Sequence, residues 1–67
     1  MKTQLQQMYT GESVSFNVFE YNAYLVKRVS PYTYELYSLT QNSNTEVYQS
    51  CFAWNELNKL VEILEGV

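Results

Sequence analysis

The sequence predicts an α+β fold, a small antiparallel three- to four-stranded meander with a C-terminal helix packed on one face. Three observations carry this. Residues 14–29 alternate with a period of two, Val14, Phe16 and Val18 against Ser15, Asn17 and Phe19, followed by a second β-rich run from Ala23 to Val29. Turn-forming residues punctuate the chain at Glu20, Tyr21 and Asn22, at Ser30, Pro31 and Tyr32, and at Gln41, Asn42, Ser43 and Asn44. Beyond them the apolar period lengthens, and Trp54, Leu57, Leu60, Val61 and Leu64 recur at helical spacing.

The 67 residues form one domain, with a short helix or tail over 1–10, the meander over 14–49 and a helix over 52–65. Leu5, Met8 and Tyr9 stand at i, i+3 and i+4, which suits one or two helical turns begun by Thr3 and ended by Gly11. An extended tail is the alternative, because so short a helix forms only when it docks. The first two strands make a hairpin. Pro31 presets the next reversal, and a third strand covers about 32–39. Residues 41–44 are a loop, and a short fourth strand covers 45–49. The helix starts near Ser50 or Cys51 and stops at Gly66. Its polar side is Asn55, Asn58, Lys59, Glu62 and Glu65, and its apolar stripe covers one side of the sheet.

Even turn lengths fix the registers. Closing the hairpins on Tyr21 and Asn22, on Pro31 and Tyr32, and around 41–44 sets Val14 opposite Val29, Arg28 opposite Glu35, and Tyr37 opposite Tyr48. One face then holds Val14, Phe16, Val18, Leu25, Val29, Tyr34, Leu36 and Val47, with Lys27 as its only charge. This is the face for the helix. The other holds Phe19, Tyr24, Val26, Tyr37, Leu39 and Tyr48, with Arg28 against Glu35 and Glu46 at the margin. It is open, covered by residues 1–9, or buried against another chain.

Composition excludes much chemistry. There is no His and no Asp, so no triad, zinc site or cofactor site is expected, and the chain reads as a non-enzyme. The two glycines, Gly11 and Gly66, build no phosphate-cradling loop. Seven glutamates against four basic residues leave a net charge of −3, a poor match to phosphate backbones. Lone Cys51 reads as a reduced, partly buried thiol. Residues 1–10 lack the apolar core of a leader, and no run approaches the length of a membrane span, so a cytoplasmic protein without membrane contact is expected.

What remains is surface. Seven tyrosines in so short a chain suit a half-wet interface, since each buries a ring and keeps a hydroxyl in water. The leading expectation is a protein-binding module, a small inhibitor or adaptor that grips another protein through Phe19, Tyr24, Val26, Arg28, Glu35, Tyr37, Leu39, Glu46 and Tyr48. Compact proteins of this kind are common in phages and mobile elements, where they block host enzymes or defence proteins. Two alternatives stay open. Tyr24, Tyr37 and Tyr48 stack single-stranded bases while Lys27 and Arg28 hold phosphates, or the same patch joins two copies in a homodimer in which Arg28 meets Glu35 or Glu46 of its partner.

Overall fold

The chain runs α1 (Lys2–Gln6), β1 (Ser13–Phe19), β2 (Asn22–Ser30), β3 (Thr33–Leu39), β4 (Glu46–Ala53), a 3₁₀ turn (Trp54–Glu56) and α2 (Leu57–Leu64). This computed structural model describes residues 1–19, 22–40 and 45–66, the side chains of 17–19 and 22 excepted. The expected turn at Tyr21 and loop at 41–44 lie outside the described residues. The four strands pair antiparallel in sequence order, β1–β2–β3–β4. This is the α+β meander with its C-terminal helix, and the N-terminal segment adopts the helical option.

Registers depart from the even-turn expectation through a bulge in each hairpin and, in the first, through a displaced turn as well. The second hairpin closes on Pro31 and Tyr32 as expected, with Ser30 opposite Thr33. One step later the ladder slips, and Arg28 stands opposite Tyr34, leaving Val29 as an extra residue on β2. A bulge of this kind reverses the facing of every residue beyond it. In the first hairpin Asn22 is not a turn residue, as expected, but pairs opposite Phe19, and the ladder slips once more between Asn17 and Phe19; together these put Val14 opposite Val26 instead of Val29. In the third, Tyr37 opposes Tyr48 and Ser38 opposes Val47 as expected, but Gln49 is then extra and Leu36 meets Ser50.

The outcome is that β2 is turned over relative to the expectation. Tyr24, Val26 and Arg28 lie on the covered face, with Val14, Phe16, Tyr34 and Leu36. Leu25 and Lys27 lie on the other, and Val29 is 44% exposed at its bulge.

β4 also runs four residues further than expected, and the helix begins later. Phe52 continues the strand alternation, pairs opposite Tyr34 and is buried. Helical spacing alone could not separate Phe52 and Trp54 from the stripe that follows. The Ala53 N–H donates to Glu56 Oε1 at 3.0 Å, which closes the 3₁₀ turn between strand and helix. At the far end Gly66, with φ of 75°, donates to the Ile63 carbonyl at 3.1 Å, the stop that the sequence marks.

The core is Leu5, Met8, Val26, Tyr34, Leu36, Phe52, Leu57, Leu60 and Leu64. Burying an aliphatic side chain of this size is worth about 1.5–3 kcal/mol. Leu5 and Met8 pack in this same cluster, so residues 1–9 cover the helix side of the sheet and not the other. The shortest principal extent is 17 Å, the depth of a sheet and one helical layer.

Candidate functional site

Two adjacent basic residues, Lys27 and Arg28, point to opposite sides of β2, and each organises its side. Arg28 acts as a clasp on the covered face. Its Nη1 donates to the carbonyls of Gln6 (3.2 Å) and Met8, and its Nη2 donates to the Pro31 carbonyl at 2.6 Å. The guanidinium carbon lies 5.2 Å from the ring centroids of both Tyr34 and Trp54. The end of α1 has carbonyls without helical partners, and a cation there satisfies them and opposes the helix dipole. Tyr34 adds a second tie, its hydroxyl donating to the Leu5 carbonyl at 2.9 Å. Burial holds the Tyr34 phenol above its usual value, partly offset by the neighbouring Arg28 charge. Arg28 therefore does not meet Glu35 across the sheet, and in a two-fold pairing through the open face it would not reach a partner's Glu35 or Glu46.

Lys27 organises the open face. Its Nζ is 2.8 Å from Glu46 Oε1 and 4.6 Å from the centroid of the Tyr37 ring. Hydrogen bonding to Glu46 raises the Lys27 pKa, against the lowering effect of its desolvation. The Tyr37 hydroxyl donates to Glu35 Oε1 at 2.7 Å, and that bond raises the Tyr37 phenol, with burial adding to it. Tyr37 also meets Tyr48 edge-on, centroids 5.7 Å apart and planes at 79°. Leu25, Tyr37 and Tyr48 stand in one cross-strand row. Tyr48 is 53% exposed. Cys51, expected to be partly buried, is exposed, because it stands opposite Glu35 on the uncovered side of β4.

Of the candidate contact residues, Glu35, Tyr37, Leu39, Glu46 and Tyr48 share this face, joined by Leu25 and Lys27. Tyr24, Val26 and Arg28 belong to the covered face instead, Val26 with no exposed surface at all. Phe19 lies in β1 opposite Asn22, with its side chain outside the described residues. One signal for the reversal was present in the residue types. A planar guanidinium can serve several carbonyls at once, where a lysine ammonium is a compact, strongly hydrated charge. Between adjacent Lys27 and Arg28, Arg28 is the one suited to the interior.

No group of three or more His, Cys, Asp or Glu that could hold a metal ion occurs among the described residues. Nor, among them, is any helix long and apolar enough to cross a membrane. No protein-family model, curated protein or solved structure matches the chain, so its fold and surfaces are read from its own residues.

Proposed function

We propose that the protein is a non-enzymatic protein-binding module, a small inhibitor or adaptor, that holds another protein against the sheet face bearing Leu25, Lys27, Glu35, Tyr37, Leu39, Glu46 and Tyr48. One observation carries the reading. α1 and α2 both pack on the same side of the sheet, so all four strands turn their other side to solvent among the described residues. The Tyr37 ring there is held by Lys27, Glu35 and Tyr48 together. A ring fixed before binding loses little freedom on contact, and tyrosines so placed are typical interface anchors.

The nucleic-acid reading loses support from the same geometry. Tyr24 and Arg28 lie on the covered face, and Lys27, the basic residue left on the open one, is paired with Glu46. A pull-down with tagged wild-type protein and with the Tyr37→Ala/Tyr48→Ala variant tests the proposal. Proteins retained by the wild type are expected to be lost by the variant, whose far-UV spectrum stays folded. Equal retention would place the interface elsewhere on the molecule.

A further inference from the structure

The sheet has two edges, β1 and β4, and each carries backbone groups that no neighbouring strand pairs. β4 is protected. Glu46 and its ion pair with Lys27 stand at its start, Gln49 bulges out of the ladder, and at its end the outward N–H of Ala53 is already given to Glu56 Oε1. β1 lacks these devices over residues 13–17. The strand Ser13–Phe19 contains no charged residue and no proline, and its bulge lies beyond Asn17.

Backbone pairing fixes which groups of β1 are free. The Arg28 N–H donates to the Glu12 carbonyl at 3.0 Å, and the Gly11 N–H donates to the Arg28 carbonyl at 2.6 Å, so Arg28 turns its backbone toward β1. Alternation along an antiparallel ladder then makes Val14 with Val26 and Phe16 with Tyr24 the hydrogen-bonded pairs. The N–H and C=O groups of Ser13, Ser15 and Asn17 point off the sheet. Ser13 and Ser15 are exposed, and Val14 and Phe16 are only partly covered by the core. An edge of this kind binds an extended backbone.

The edge is complementary to its own copy. Antiparallel pairing about Ser15 sets Ser15 against Ser15 of a second copy and Ser13 against Asn17, so every outward N–H and C=O of the stretch meets its counterpart. The same register sets Val14 against Phe16 on the side of the helices, a β-branched residue against an aromatic one. No carboxylate lies in the paired stretch. That matters for a chain of net charge −3, because pairing through the open face would gather Glu35 and Glu46 of both copies in one interface. Glu12, just before the strand, has its carboxylate tied back to the Tyr9 N–H at 2.8 Å. We propose that two copies of the chain join through β1, their sheets of four strands forming one continuous sheet. The two-fold axis runs perpendicular to that sheet, so both open faces lie on one side. On the function proposed above, the dimer offers its partner two equivalent faces at once.

Sedimentation equilibrium of the full chain tests this, in reductant so that exposed Cys51 links no copies. A short strand pair is a small interface, so the expected dimer dissociates in the range of about 10–100 μM. Ser15→Lys sets like charges against each other across the two-fold axis, and Ser15→Pro removes an outward N–H that the monomer does not use. Each should weaken the dimer at least about tenfold with an unchanged far-UV spectrum. Tyr37→Ala/Tyr48→Ala on the open face and Cys51→Lys on β4 should leave it intact. Amide exchange of the wild type needs no variant: the Ser13, Ser15 and Asn17 N–H groups should slow as concentration rises through that range, and the Cys51 N–H should not. A monomer at about 100 μM, exchange independent of concentration at those three amides, or undiminished association in both Ser15 variants overturns the proposal. An equal loss in the Tyr37/Tyr48 variant would assign the dimer to the open face, an equal loss in Cys51→Lys would assign it to β4, and growth beyond a dimer would mean that unlike edges pair; each overturns it too. None of these outcomes decides the pull-down, which reads the open face.

Discussion

The two faces of the sheet are built from the same strands and differ in what holds their side chains. On the covered face, Val26, Tyr34 and Leu36 are locked by α1 and α2, and the Arg28 Nη atoms and the Tyr34 hydroxyl donate to backbone carbonyls, while Arg28 Nε is buried without a partner. On the open face, Tyr37, Lys27, Glu35, Glu46 and Tyr48 are held by one another. The covered face is thus a stability device, and the open one is the surface that the proposed function uses. Lys27 and Arg28 are the cleanest comparison, because neighbours in sequence sit on opposite sides of that divide.

The largest expected effect lies in the covered layer. Leu60→Ala removes a fully buried side chain and should cost about 2–5 kcal/mol in denaturant titration, enough to threaten a domain of this size. A loss under about 0.5 kcal/mol would mean that α2 does not close the core. Next comes Arg28→Met, which leaves the Gln6, Met8 and Pro31 carbonyls without their donor and should cost roughly 2–3 kcal/mol. Lys27→Met, its matched control, should leave the unfolding midpoint in place. Equal losses from the two would erase the distinction between the faces. Tyr34→Phe removes one buried hydrogen bond, to the Leu5 carbonyl, and should cost about 1–2 kcal/mol while freeing residues 1–8 to faster amide exchange.

The open face gives a different kind of expectation. Sedimentation equilibrium should reveal self-association by about 100 μM that Tyr37→Ala/Tyr48→Ala abolishes if a second copy covers it, and association that this variant keeps, or a monomer at that concentration, would leave the face to a different protein. Deleting residues 1–10 should weaken the fold and not uncover this face, because Leu5 and Met8 pack on the opposite side.

The smallest effect is on pH dependence. The bond from the Ala53 N–H, with a lesser contribution from Lys59, holds Glu56 below its ordinary value of 4.5. A carboxylate lowered on folding adds stability that is present above about pH 4.5 and is lost as pH falls through its folded value. Glu56→Gln should therefore flatten the acid limb of the stability curve, and an unchanged limb would mean the 3₁₀ turn does not depend on that charge.

The sequence by itself determined the element types and their order. Alternation over 14–29, the Pro31 turn, the helical spacing of Leu57, Leu60, Val61 and Leu64 and the Gly66 stop are local signals, and each survives in the structure. The residues opposite one another beside the third loop, Tyr37 with Tyr48 and Ser38 with Val47, were legible for the same reason. Facing was not. Residues Val29 and Gln49 carry no mark that they are extra, since a bulge is chosen by how two strands twist and pack together, not by the residue that absorbs it. Each reverses what lies beyond it, and that is why Arg28 became a clasp and Lys27 a surface charge. Composition could say that the protein has aromatic surface to spare, and only the three-dimensional pairing decided where that surface lies.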